Sequence, residues 1–398
     1  MARDDDGRSA GTRTHVATAT VPAPRISARR PFTPHLAVAP LAPVPDLDAY
    51  VALSMHFDLD LWARRHAAGE VPDATPYGLH KLADHGVRPH FRRPTHNRAA
   101  RWASRKVRNR LSQTEIVEAA VDAVRGDRRR TDAVLCWDER TGVPAALLPG
   151  SPPVVSGGAW LADPDRLSAR VRHLTRLALP RMGALFHFCH PMGRAVEAAW
   201  GLTEGTVRRV TMGVDAGFYT AQPPAEEPGT VVSVGDDRNR DHALLVRAVE
   251  RVHRDGVPVR LELATLQDVA LPEHLGVVHR RRMEGAIRPL YQRSSVVAIA
   301  ARPTMAGSGL TVLMEAMASA RPVVLTANPG FEEYVEHGVT GLLVPPGDDE
   351  AFADAIASLL RDPEAAAAMG RAGRRVVESR LTTGHVAADV AALLRSVR

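Results

Sequence analysis

Lysine is nearly missing from this chain: Lys81 and Lys106 are the only two in 398 residues, so its 51 basic side chains are almost all arginine. The planar guanidinium fork matches phosphate and carboxylate oxygens in a way that an ammonium does not. Cysteine is as scarce. Cys136 and Cys189 sit within apolar segments and give neither a disulfide framework nor metal-ligand spacing, which points to a reducing compartment. No apolar run approaches the ~20 residues needed to cross a bilayer, which argues against an integral membrane protein. Residues Met1 to Arg30 lack the apolar block of a signal peptide, and residues 1–44 read as a disordered tail. A cytoplasmic location is the expectation. The arginines are not interleaved with aromatics, so a nucleic-acid platform is not expected.

What is present suits a soluble two-domain protein. The apolar content is 45% and the formal charge +6, with residues 1–222 carrying +9 and the remainder −3. Prolines and charges at 223–229 cannot continue a helix or a central strand, so a linker is placed there. Short β-branched runs alternate with helical patterns on both sides of it. After the linker these are Thr230 to Val234, Val259 to Ala264, Gly276 to His279, Ser295 to Ala300, Pro322 to Thr326 and Gly341 to Val344. Before it they are Tyr50 to Met55, Arg88 to Phe91, Ala133 to Trp137, Val154 to Val155, Ala184 to Phe188 and Val207 to Met212. Such alternation predicts parallel sheets covered on both faces. The expected fold class is therefore α/β, two doubly wound Rossmann-like domains facing a cleft, over residues 45–222 and 230–382. The last stretch, 383–398, is expected to be a helix able to cross back to the first domain.

The most informative segment runs from Gly307 to Val324 and reads as glycine turn, helix and strand. Gly307, Ser308, Gly309, Leu310 and Thr311 bring backbone N–H groups and the positive end of a helix to one place, which suits a diphosphate. Glu315, further along the same helix, is placed to hold ribose hydroxyls. Gly-x-Gly without a third glycine speaks against a nicotinamide dehydrogenase. A tight turn and a solvated carboxylate are the bland alternatives.

These residues resemble the donor domain of retaining glycosyltransferases of the GT-B fold, the glycosyltransferase family 4-like, or group 1, enzymes. The similarity runs from about Val231 to Leu394, with Thr206 to Tyr219 matching less fully. It is carried by the turn and helix, by Ser233-Val234-Gly235 followed by Arg238 and Arg240, by Thr211-Met212-Gly213-Val214-Asp215, and by Pro329-Gly330-Phe331-Glu332-Glu333-Tyr334-Val335. The resemblance implies a nucleoside-diphosphate sugar as co-substrate, with Gly235, Arg238 and Arg240 near the diphosphate. It also implies neither cofactor nor metal, and same-face transfer to an acceptor hydroxyl. Arg240 is preferred to Arg238 as the grip on the leaving group; the alternative pairs both with Asp236 and Asp241 at the surface. One departure stands out. The family's first glutamate of a Glu-x7-Glu pair falls on Gly307 or Ala306.

The acceptor side is less defined. Glu139, after the strand ending at Trp137, can orient or deprotonate a hydroxyl, whereas Ser156 to Trp160 has no histidine where family members often carry one. Asp58 with Asp60, and Asp163 with Asp165, form Asp-x-Asp pairs for which solvated loops account better than a metal site. His187 and His190 are expected to pack rather than to bind metal. Arg98, Arg101, Arg105 and Arg108 recur at helical spacing and form a basic face that could meet an anionic membrane or an acidic acceptor, or simply water. The acceptor itself, whether natural product, lipid or cell-surface glycan, is left open. So is a non-catalytic nucleotide-sugar-binding role as partner subunit or regulator.

Overall fold

The computed structural model describes residues 46–54, 57–93, 98–221, 228–281 and 283–398. The expected tail, 1–44, and most of the expected linker, 223–227, lie outside these residues.

Six parallel strands form the first sheet: β1 Leu47–Ala52, β2 Val87–Phe91, β3 Ala133–Cys136, β4 Val154–Gly157, β5 Ala184–His187 and β6 Val207–Arg209, in the order β2-β1-β3-β4-β5-β6. The second sheet comprises β7 Thr230–Val234, β8 Arg260–Ala264, β9 Gly276–His279, β10 Val296–Ile299, β11 Val323–Thr326 and β12 Leu342–Val344. It is also parallel, in the order β12-β11-β10-β7-β8-β9. Every strand expected from the sequence is found. Each sheet reverses its winding once, between β1 and β3 and between β7 and β10, and such reversals open a crevice at the carboxyl ends of the strands.

Several boundaries differ from expectation by one or two residues, the start of β1 and the end of β6 by three, and the expected end of the first strand, Met55, lies outside the described residues. The first strand begins at Leu47 rather than Tyr50, because Leu47, Ala49 and Val51 enter one core while Tyr50 and Ala52 enter the core on the other face. Burial on both faces removes the alternation that would have marked its start. β6 stops at Arg209 rather than continuing to Met212, since beyond Val210 the backbone donors leave the sheet. The Thr211 N–H goes to Asp389 Oδ2 at 2.8 Å, and the Met212 N–H to the Tyr334 hydroxyl at 3.1 Å.

The chain crosses between the sheets twice, and the crossings pair with each other. Val214 N–H donates to Leu381 C=O at 2.9 Å, and Thr383 N–H to Val214 C=O at 3.1 Å. After the second crossing, the Thr383–Arg395 helix buries Val386, Ala387, Val390, Ala391 and Leu394 in the first core, against Leu47, Leu79 and Leu82. No helix among the described residues is long and apolar enough to cross a membrane.

Candidate active site

The winding reversal of the second sheet gathers the predicted donor residues. The loop leaving β7 is fastened to the segment leaving β10 by the Asp241 N–H on Ala300 C=O (3.0 Å) and the Arg302 N–H on Asn239 C=O (2.8 Å). Gly307 (φ 65°) and Gly309 (φ 98°) then turn the chain into the Leu310–Ala318 helix, whose N-terminus has no side-chain cap. At Gly309 only glycine fits. A Cβ there would stand 2.5 Å from Ile299 Cγ2 and 3.0 Å from Arg240 Nη1.

Arg240 is 3% exposed. Its Nη2 donates to Val234 C=O at 2.6 Å, but Nε and Nη1 are buried without a partner. Burial draws its pKa below the ordinary arginine value, against the opposing pull of Asp237, Tyr291 and Glu315. Asp236 and Asp241 are engaged elsewhere: Asp236 accepts from Leu266 N–H at 2.6 Å, and Asp241 caps the His242–Arg254 helix through Leu244 N–H at 3.0 Å. The surface-pair alternative therefore fails for Arg240. A buried cation with unused donors beside an uncapped helix start is what an anion would satisfy. The Ser308 hydroxyl, also buried and unpartnered, lies in the same turn, while Leu310 packs into the core and Thr311 is exposed.

Glu315 is half-buried at the wall of a cavity of about 460 Å³. The Tyr219 hydroxyl donates to its Oε1 at 2.9 Å and the Tyr291 hydroxyl to its Oε2 at 2.8 Å. Burial pushes the Glu315 carboxyl up to about 7, and the two phenols and Arg240 only partly counter it. Each carboxylate oxygen keeps acceptor capacity for a ligand hydroxyl. Gly235, Thr311 and Met283 line the cavity from the second domain, and Phe57, Trp62 and Pro72 from the first.

A larger cleft of about 1050 Å³ opens beside Ala306 and holds Glu139 and Arg238. Arg238, unlike Arg240, is exposed, with its guanidinium 5.8 Å from the centre of the Trp160 ring. Glu139 is buried at the start of the Glu139–Leu147 helix, where its Oε2 accepts from Trp160 N–H at 3.4 Å. Burial, reinforced by the Asp138 carboxylate, raises it to about 7. Asp138 itself caps the helix at Arg140 N–H and pairs with the Arg140 guanidinium.

Several other residues singled out in the sequence serve the fold. Asp58 caps the Leu59–Ala67 helix through Leu61 N–H at 2.9 Å; Asp163 pairs with Arg166 and Asp165 with Arg172. His187 is buried at the end of β5, where burial lowers its pKa to about 4, while His190 meets Glu333 at 3.2 Å. Among the described residues no cluster of metal-ligating side chains occurs. The expected arginine face is not uniform: Arg108 turns towards the buried Glu115, at 3.7 Å, so it does not extend a solvent-facing row with Arg105. The side chains of Arg98 and Arg101 lie outside the described part. Trp102, on the same helix, is 54% exposed, with Lys106 4.0 Å from its ring centre.

Tyr219, Tyr291 and Trp160 were not anticipated as site residues. Tyr219 had a faint signal, since it follows the Thr211–Asp215 motif and Phe218. Tyr291 had none, because only the tertiary fold brings it to Glu315.

Residues 228–362 match the family model described as glycosyl transferases group 1. Over 84 residues the chain is 40% identical to the GDP-mannose-dependent alpha-(1-6)-phosphatidylinositol monomannoside mannosyltransferase of Mycobacterium tuberculosis, covering 21% of this chain and 22% of the relative. Over 82 residues it is 42% identical to the D-inositol 3-phosphate glycosyltransferase of Kribbella flavida, covering 21% and 19%. The chain thus spans about a fifth of the length of these curated relatives. Among solved structures, sucrose-phosphate synthase from Thermosynechococcus elongatus superposes with a TM-score of 0.66 at 17% identity, over 88% of this chain and 98% of that one. HepE from Anabaena in complex with UDP-glucose gives 0.61 at 16%, over 88% and 99%. The described chain has the GT-B fold of these structures, and residues 228–362 are similar to the glycosyl transferases of group 1.

Proposed function

We propose that this protein is a glycosyltransferase that moves a sugar from a nucleoside diphosphate to an acceptor hydroxyl, with retention at the anomeric carbon. The carrying observation is Arg240, a buried guanidinium with Nε and Nη1 unpartnered behind the Gly307–Gly309 turn. In this reading the diphosphate lies on Arg240 and the start of the Leu310–Ala318 helix, which neutralise the leaving group by direct charge stabilisation. The ribose bonds Glu315 in the smaller cavity. The sugar reaches into the larger cleft, where Glu139 receives the acceptor hydroxyl and Arg238 borders it. In this reading attack comes on the face that the diphosphate leaves, as the family resemblance implies, and a departing phosphate oxygen takes up the acceptor proton.

GDP-mannose, named for one relative, and UDP-glucose, bound in one structural neighbour, are the first to test. Calorimetric titration with UDP and GDP, followed by assays of donor hydrolysis and transfer, should give binding together with slow turnover, and NMR of the product should show the donor's anomeric configuration. Absence of binding by either nucleotide, or by a wider nucleotide panel, overturns the reading. Binding without any turnover instead favours a nucleotide-sugar-binding partner protein, the alternative motivated by Ala306 and Gly307 standing where the family carries an acid. Inverted product would leave the transferase and remove the retaining mechanism.

A further inference from the structure

Glu315 is held by two tyrosines of different origin. Tyr291 belongs to the short Arg288–Arg293 helix of the second domain itself. Tyr219 belongs to the first crossing between domains, in a turn built on Asp215, whose Oδ1 accepts from Gly217 N–H (2.9 Å) and Phe218 N–H (3.2 Å). The other oxygen of Asp215 faces the first domain and accepts from Asp73 N–H at 3.1 Å.

Asp73 is held in an uncommon state. It is a non-glycine residue at φ 55°, 5% exposed, paired with Lys81 Nζ at 2.5 Å. The Thr383 hydroxyl, at the second crossing, donates to the same carboxylate at 3.3 Å. A left-handed aspartate costs backbone strain, and it persists where its surroundings over-determine it. Here those surroundings are the two crossings. The far side of the Tyr219 turn is fixed by Arg374, which donates to the carbonyls of Ala216 (2.9 Å) and Tyr219, and to that of Ala318 at the end of the Glu315 helix. The same first-domain segment contributes Val71 and Pro72 to the cavity wall facing Glu315.

We propose that Tyr219 is a positioning residue that transmits the placement of the first domain, through Asp73 and Asp215, to the Glu315 carboxylate. The inference rests on the nucleotide reading of that cavity. Tyr219 borders the same cavity but is almost wholly buried, and it acts through Glu315. Its hydroxyl sets where Glu315 points and how readily it ionises, while Tyr291 makes an equivalent bond from within the second domain, its ring edge-on to that of Tyr219 at 6.2 Å. Burial and the neighbouring Glu315 keep both phenols protonated, so both remain donors at neutral pH.

The test is a double-substitution cycle read by calorimetric titration of UDP and GDP into the full chain. Tyr219→Phe and Tyr291→Phe each remove one hydroxyl and keep the ring. Asp215→Asn keeps an acceptor for the turn but replaces the oxygen facing the Asp73 N–H; Thr383→Val weakens the same junction from the second crossing, should the first variant fold poorly. Each tyrosine variant should bind the nucleotide about tenfold more weakly. In the Tyr219→Phe background the junction substitution should add little, whereas in the Tyr291→Phe background it should add its full effect.

A pH readout separates this from mere packing. Besides the two phenols, the charged groups facing Glu315 are Arg240 and, around the cavity, Asp58, Arg65, Asp236 and Arg281. Ribose binding favours the ionised acid, so affinity should rise with pH through about 7, and the midpoint should move higher in Tyr219→Phe. Additivity within about twofold in both backgrounds, or an unmoved midpoint, overturns the proposal while leaving nucleotide binding intact. No binding by the unmodified chain overturns both readings together.

Discussion

Each sheet of this molecule buries an arginine near its carboxyl edge, and the two are treated in opposite ways. Arg92, following β2, meets Glu115 at 2.7 Å and Asp122 at 2.8 Å; burial opposes its charge, but the two carboxylates outweigh that and hold its pKa above the usual arginine value. Arg240 has no carboxylate in contact, and burial pulls its pKa down. A buried cation whose charge is met by the protein is part of the scaffold. One left with unused donors stores a desolvation cost that an incoming anion relieves. The contrast is between these two arginines and not between whole domains, since the first domain also buries Arg128 with Nε and Nη2 unpartnered.

The strongest way to break this contrast is to neutralise both. Arg240→Met should lower donor kcat/KM by roughly 10²–10³ while leaving the melting temperature of the free protein unchanged or higher. Arg92→Met should strand Glu115 and Asp122 and cost about 3–5 kcal/mol in denaturant unfolding. Equal destabilisation by the two would make both arginines structural.

Next in size, Glu139→Gln, which weakens the acceptor offered to the incoming hydroxyl, should reduce kcat by about tenfold with donor affinity nearly unchanged, as assayed by turnover and titration side by side. An unchanged kcat would remove its role at the acceptor. Glu315→Gln should weaken donor binding about tenfold and flatten its dependence on pH around 7. The same two acids sharpen the comparison through stability. Both are raised to about 7 in the folded state from the ordinary 4.5, so the folded protein holds their protons more tightly. Their contribution to stability is present below about 4.5 and is lost as pH rises towards and through 7. Unfolding free energies of the unmodified chain and of the double Gln variant, followed across that window, should diverge in this direction.

The smallest effects concern glycines. Gly201→Ala, at φ 64° with open space around it, should cost on the order of 1 kcal/mol and leave activity alone. Gly309→Ala must also displace Ile299 or Arg240, so it should raise donor KM as well.

How far the sequence exposed these features depended on their range. The Gly307–Glu315 turn and helix, the Arg240 loop and all twelve strands are written in contiguous residues, and each was legible. Arg240 could be favoured over Arg238, but its burial could not be read, since it arises from the approach of Gly235 and Gly309. The tyrosine hydroxyls on Glu315 come from 96 and 24 residues away, with no pattern linking them. Arg108 looked like part of a solvent face because its spacing fits one; a carboxylate on the following helix, Glu115, turned it inward. Asp58 and Asp60 resembled a ligand pair, yet Asp58 precedes a helix start, where an aspartate caps.

The helix that ends the chain has a consequence for how the protein is made. Its apolar face completes the hydrophobic interior built around Leu47, Leu79 and Leu82, so the amino-terminal sheet is covered last although it is translated first. On the ribosome the first domain must wait, with part of its interior open to water, until about 170 further residues have emerged after β6. A stop codon ahead of Thr383 would therefore injure the opposite end of the polypeptide from the one it shortens.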